Sequence, residues 1–168
     1  MEYVTLVDEQ DNELGVMEKL QAHQQGKLHR AISVFIFNDQ KELLLQRRAL
    51  DKYHSAGLWT NTCCSHPKPG EDVADAAARR LFEEMGIVAD VRTEFTFLYQ
   101  TAFENGLIEH ELDHVFVGIT NDTPQPDPDE VMEWKYLSME DIKQEIKKYP
   151  NQFSYWFKLI MSQYQFKQ

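Results

Sequence analysis

The sequence predicts an α/β (α+β) fold, an α/β/α sandwich on a mixed central β-sheet, and three observations carry that prediction. Apolar residues cluster in short strand-like runs through the first third of the chain and again over residues 96–120, consistent with half-buried strands. Between Asp72 and Met85 the apolar period lengthens to four, as an amphipathic helix requires. Beyond a break at Pro124, Pro126 and Pro128, two further helical patterns close the chain.

Residues 4–7 and 14–16 read as a hairpin about an acidic turn. Residues 31–37 and 43–46 are strands joined at Asn38-Asp39-Gln40. Next comes the best-marked helix: Val73, Ala77, Leu81 and Met85 share a stripe, Asp72 is placed to cap its start and Gly86 to end it. Strand character resumes over 96–103 and 109–120, around the turn Glu104-Asn105-Gly106. After the prolines, residues 131–137 lead to Ser138-Met139-Glu140-Asp141, which has capping-box form with Asp at the reciprocal position. That helix must stop before Pro150, and a last one presents Phe153, Trp156, Phe157, Ile160 and Tyr164 on one face. No repeat or linker divides the chain, so residues 1–168 are expected to form one domain.

The formal charge is −11, which disfavours nonspecific binding to nucleic acid or to an anionic membrane surface. Its distribution is uneven. Residues 1–60 carry 7 basic and 9 acidic side chains against 10 and 19 in the remainder, so a local cationic patch for an anionic small molecule stays admissible. No apolar run approaches the ~18 residues of a membrane span, and no basic leader opens the chain. The only cysteines, Cys63 and Cys64, are adjacent and poorly placed for a mutual disulfide. A reducing, cytoplasmic setting is the expectation, with the protein a monomer or weak dimer.

Around the cysteines, strand alternation puts Thr62, Cys64 and His66 on one face and Cys63 and Ser65 on the other. A buried thiol with a core histidine would look the same. Glu109 and Glu111 also share a strand face, about 6 to 7 Å apart at Cα, where two like charges invite a cation. His23 and His29 flank a Gln/Gly-rich loop. Spacing leaves open whether three imidazoles and two carboxylates converge on one ion; such a donor set suits Zn, Mn or Fe and, less well, Mg.

Glu71 to Ile87 resembles the Nudix box, G-x5-E-x7-R-E-U-x-E-E-x-G-U, in Glu71, Arg79, Leu81, Glu83, Glu84, Gly86 and Ile87. Ser65 stands for the first Gly and Arg80 for the Glu after Arg79. That second change removes a magnesium ligand of diphosphate-hydrolysing members and adds a repelling charge. The helix is also laced with the pairs Arg79–Glu83 and Arg80–Glu84, worth only ~0.2–0.5 kcal/mol each. Further stretches, among them Glu18-Lys19-Leu20-Gln21-Ala22-His23, Gly57-Leu58-Trp59-Thr60-Asn61, Cys64-Ser65-His66-Pro67, Ile108-Glu109-His110-Glu111 and Phe153-Ser154-Tyr155-Trp156, make the chain similar to the type I isopentenyl-diphosphate isomerases nearly end to end.

The resemblance implies a Nudix-like fold and interconversion of isopentenyl and dimethylallyl diphosphate in isoprenoid biosynthesis. It implies that His23, His29, His66, Glu109 and Glu111 bind one divalent metal (Mn2+, Zn2+ or Mg2+), and that Glu84 helps hold a Mg2+ on the substrate diphosphate. Lys19, Arg48 and Lys52, with Arg47 a neighbour, match diphosphate-contacting positions. Cys64, Glu111 and Tyr99 match proton-transfer residues, and Trp156 the aromatic wall. A 1,3-allylic proton shift through a tertiary cation needs two acid/base stations on opposite sides of a flat hydrocarbon, and an indole face stabilises the cation without trapping it. Cys63, His110 and His114 are expected to stand outside this machinery. The rival readings are a Nudix diphosphate hydrolase and a catalytically inert ligand-binding protein.

Overall fold

A computed structural model describes residues 1–166. Strands β1 (Tyr3–Val7) and β2 (Glu13–Glu18) form the expected N-terminal hairpin. Helix α1 (Lys19–Gln25) follows at once, where the sequence reading placed a loop beside His23. The Glu18 carboxylate caps it by accepting from the amides of Leu20 and Gln21, and Gly26 closes it at a φ of 65°. Glutamate is not among the favoured N-caps and about two helical turns show no clear periodicity, so this helix is nearly silent in the sequence.

Strand β3 (His29–Phe37) is the hub of the sheet. It meets β4 (Glu42–Arg48) only at Phe37 and Leu43, because the two strands diverge from their turn. Into the gap come β5 (Trp59–Thr60), paired with β4, and β6 (Cys63–Ser65), antiparallel to β3. Helix α2 (Val73–Met85) runs between the expected caps. The Asp72 carboxylate accepts from the amides of Ala74 and Asp75. Strands β7 (Val91–Ala102) and β8 (Ile108–Ile119) form a long hairpin, and β8 lies parallel to β3 along the whole of it. Strand β9 (Val131–Ser138) pairs with β4. Helix α3 (Met139–Lys148) starts at a Ser138 hydroxyl that accepts from the Asp141 amide, and α4 (Tyr155–Gln163) is the last helix among the described residues.

Two apolar layers sandwich this mixed sheet. On one face Ile32, Val34, Ile36, Leu44 and Cys63 pack on Ala76, Ala77, Leu81 and Met85 of α2. On the other, Phe35, Phe37, Leu43 and Leu45 pack on Ile142 of α3 and on Trp156, Phe157 and Ile160 of α4. The α/β/α arrangement follows directly from strand alternation, because β3 buries both of its faces. Among the described residues no helix is long and apolar enough to cross a membrane.

Gly86 is the one glycine on which the Nudix-like helix depends. Its φ is 65°, and a Cβ there would stand 2.6 Å from the Gln125 carbonyl oxygen, on a segment whose Gln125 amide bonds the Met85 carbonyl at 2.8 Å. Backbone strain and collision therefore add. Gly86→Ala is expected to cost about 2 kcal/mol or more in urea unfolding with an unchanged m-value; a loss below 0.5 kcal/mol, on the order of a neutral surface change, would refute this.

Candidate active site

Strand register assembles the site. The parallel β3–β8 pairing sets His29 beside Glu111, and the β7–β8 hairpin sets Tyr99 beside Glu111 in the same row. The Glu111 Oε2 atom lies 3.1 Å from His29 Nε2 and 2.7 Å from His66 Nε2. His23, on the last turns of α1, brings its ring to 4.9 Å from that of His29 and 5.8 Å from that of His66. The ligand atoms of His23, His29, His66 and Glu111 all lie within 4.8 Å of one another.

The imidazoles are oriented as ligands. His23 Nδ1 is bound to the Lys19 carbonyl at 2.7 Å and His29 Nδ1 to the Lys27 carbonyl at 2.9 Å, so each presents Nε2 to the centre. Burial, reinforced by repulsion from His66, pushes His23 down from its ordinary 6.5 to about 3 and keeps it neutral. Burial lowers His66 too. In His29 burial is outweighed by the Glu111 contact, and the net shift is upward. Glu111, despite burial, is held well below the usual carboxylate range by His66 and His29. Three nitrogens and one oxygen in this geometry fit a divalent metal.

Glu109 belongs to a second group. Tyr99 donates to Glu109 and to Glu111, the latter at 2.5 Å, and its single phenolic proton serves both carboxylates in turn. The other Glu109 oxygen lies 2.8 Å from Nε2 of His54, a residue the sequence reading did not single out. His54 sits in the irregular segment between β4 and β5, where no periodicity marks it.

A small cavity of about 30 Å³ lies beside the imidazoles and is walled by Cys64, Tyr99, Glu111, Trp156, Arg48 and His66. Ser33 pairs with Cys64 across β3 and β6 and lines it too. The Asn61 amide donates to the carbonyls of Val34 and Cys63, which turns its Oδ1 toward Cys64 Sγ at 3.0 Å. The thiol donates to that oxygen and accepts from Trp156 Nε1, also at 3.0 Å. Burial pushes Cys64 up to about 12, opposed by the Arg48 guanidinium and the Trp156 N–H, so the proton stays on sulfur.

The two cysteines face opposite ways, as alternation requires, but Thr62 does not join Cys64 in the pocket. Its hydroxyl is spent on the Ile36 amide and the Leu44 carbonyl. Nor is Cys63 idle: its buried thiol donates to Glu84 Oε2 at 2.7 Å, on the α2 side of the sheet. Glu84 therefore stands apart from the His/Glu centre, with Gln46 and Arg80 as its other neighbours. Arg48 reaches the pocket and lies 5.1 Å from the Trp156 ring, whereas Arg47, one residue earlier, turns outward to Glu133 and the Gly57 carbonyl. Lys19 is paired with Glu2, and Lys52 with Glu130, which it shares with Arg80. Arg80, read in the sequence only as a lost ligand, joins Lys68 around a second cavity that shares Ser65 and His66 with the first. His110 and His114 lie elsewhere, on the Gly26 carbonyl and on Asp11.

Comparison with known proteins places this fold and site. The NUDIX domain family matches residues 27–157, and the chain belongs to it. Isopentenyl-diphosphate Delta-isomerase of Pectobacterium atrosepticum is 55% identical over 95% of this chain and 89% of its own. Isopentenyl-diphosphate Delta-isomerase 2 of Aromatoleum aromaticum is 52% identical over 91% and 81%. Within the NUDIX proteins the chain thus belongs to the isopentenyl-diphosphate Delta-isomerase family. Among solved structures, DR0079 from Deinococcus radiodurans superposes with a TM-score of 0.80 over 98% of this chain and 100% of that one; at 20% identity this likeness shows the fold alone.

Because the folded pKa of His23 lies below its ordinary value, the stability it contributes is complete above about 6.5 and drains away as pH falls toward 3. Between pH 7 and pH 5 the metal-free protein should therefore lose on the order of 1 to 2 kcal/mol more than the His23→Gln variant. Urea unfolding at the two pH values tests this, and equal losses would refute it.

Proposed function

We propose that this protein interconverts isopentenyl and dimethylallyl diphosphate by an allylic proton shift in isoprenoid biosynthesis, with residues 1–168 working as one cytoplasmic unit on a small-molecule diphosphate. The observation that carries this reading is the placement of Cys64, Glu111 and Trp156 around one pocket. Cys64 holds a proton and Glu111 is ionised, so the resting site offers one acid and one base to the same hydrocarbon. Cys64 delivers its proton to the terminal alkene carbon, and positive charge develops at the tertiary carbon. Glu111, oriented by the Tyr99 hydroxyl, removes a proton from the allylic carbon, and the reverse reaction exchanges the two roles.

Trp156 faces the developing cation, which an indole stabilises by on the order of 2 kcal/mol without forming a bond to it. Arg48, Lys19 and Lys52 take the diphosphate, the two lysines exchanging the carboxylates of Glu2 and Glu130 for phosphate oxygens. Arg47 takes no part in this reading, because it points away. A divalent metal (Mn2+, Zn2+ or Mg2+) held by His23, His29, His66, Glu111 and Glu109 would supply positive charge that keeps Glu111 ionised and in place. Glu84 would meet a Mg2+ brought with the diphosphate, once Arg80 and Cys63 give up its oxygens.

A Nudix diphosphate hydrolase is the alternative, and Arg80 disfavours it by placing a guanidinium where a magnesium carboxylate would stand. Isopentenyl diphosphate incubated with the enzyme in heavy water should yield deuterated dimethylallyl diphosphate; phosphate release without isomerisation would favour the hydrolase instead. Cys64→Ala and Glu111→Gln should each lower turnover at least about 100-fold. Exhaustive chelation should abolish it, with recovery on adding back divalent metal. Unimpaired turnover by Cys64→Ala would remove the thiol from the mechanism.

A further inference from the structure

The cavity of about 30 Å³ beside Cys64 has room for on the order of one or two water molecules, whereas the proposed substrate brings five carbons. A wall must therefore yield when the hydrocarbon enters. Most of the walls are fixed: Cys64, Tyr99 and Glu111 stand on paired strands, and Trp156 on α4. Tyr53 and His54 come instead from the irregular segment between β4 and β5. Tyr53 is pinned on the metal side, with the Lys19 ammonium 4.7 Å from its ring and the His23 ring at 5.1 Å. His54 lies toward Trp156.

The His54 ring stands between two compartments. It meets the Trp156 ring at 5.8 Å and 83°, and it stacks on Phe103 at 4.5 Å and 12°. Trp156 walls the small cavity, and Phe103 walls a wider, open one of about 540 Å³ with Phe153 and Tyr155; among the described residues His54 alone lines both. The backbone here is clasped, since Asn105 donates to the Tyr53 carbonyl at 3.0 Å and Arg48 to the His54 carbonyl at 3.2 Å. The partition is thus a side chain, 3% exposed, on an anchored loop. We infer that His54, backed by Phe103, is the residue that limits the size of the hydrocarbon this site accepts. Its imidazole gives way as far as Phe103 allows, and truncating either ring joins the small cavity to the large one, where aromatic side chains meet the extra carbon. This inference rests on the isomerase reaction proposed above.

Two homologues, each one carbon larger than isopentenyl diphosphate, test it: 3-ethylbut-3-enyl diphosphate, extended at the methyl branch, and 3-methylpent-3-enyl diphosphate, extended at the terminal alkene carbon. The readout is kcat/KM for each homologue divided by kcat/KM for isopentenyl diphosphate on the same preparation. A fraction that fails to fold, or a rate lowered because Glu109 has lost its imidazole neighbour, cancels in that ratio. His54→Ala should raise the ratio about 10-fold or more for at least one homologue, the discrimination one methylene gives in an apolar pocket. His54→Phe, which keeps a ring against Phe103, should stay within about threefold of wild type. A rise below threefold with both homologues in His54→Ala, or an equal rise in His54→Phe, overturns the inference. Should His54→Ala lose both activities, Phe103→Ala decides by the same ratio: a rise of about threefold or more upholds the inference, and a smaller one overturns it. A wild-type chain that does not isomerise isopentenyl diphosphate overturns the isomerase reading and this inference with it, whereas isomerisation with a ratio that ignores both rings overturns this inference alone.

Discussion

The buried charge of Glu111 is the constraint on which the rest of this structure depends. A carboxylate 6% exposed, with no lysine or arginine among the described residues paired to it, would be costly to bury alone. It is tolerable because the parallel β3–β8 register delivers His29, the end of β6 delivers His66, and β7 delivers the Tyr99 hydroxyl to its two oxygens. Each partner comes from a different element. The same convergence that neutralises the carboxylate also forms a set of metal donors, and it leaves Glu111 as an ionised base facing a pocket.

A second consequence follows from the short strand β6, whose adjacent cysteines serve opposite faces of the sheet. Cys64 looks toward α4, where Trp156 donates to its sulfur, and Cys63 toward α2, where it donates to Glu84. The sheet thereby gives each cysteine its own surroundings: the pocket walled by Trp156, Tyr99 and Glu111 for Cys64, and Glu84 with Arg80 for Cys63. In the proposed reaction the hydrocarbon occupies the pocket of Cys64, and Arg48 on its wall meets the diphosphate. Helix α4 is docked by Ser154, whose hydroxyl donates to Thr60 and whose amide donates to the Trp59 carbonyl. The tryptophan wall is therefore coupled to the same loop that carries Asn61 and the thiol.

Local interactions were the legible part of the fold. Asp72 and Gly86 marked both ends of α2, and the turn Glu104-Asn105-Gly106 marked the hairpin that carries Glu109 and Glu111, because caps and turns act within a few residues. Helix α1 escaped notice, since a glutamate cap and seven residues produce no periodic signal. Arg47 and Arg48 could not be told apart as phosphate ligands from spacing. Alternation says only that they point opposite ways, and their side chains are sorted by Glu133 and Trp156, both remote in sequence.

The sequence by itself determined the alternation of layers, the Nudix-like helix and an inventory of thiol, imidazole and carboxylate side chains in family-like order. Only the tertiary structure decided which of them meet: Glu111 with His29, 82 residues away, and His54 with Glu109. It also set Glu84 on the far side of the sheet from Cys64, although the two segments read alike as parts of one site. The physical reason is that a local pattern specifies which face a side chain takes, whereas the register between distant strands is set by the burial of both faces of β3 at once.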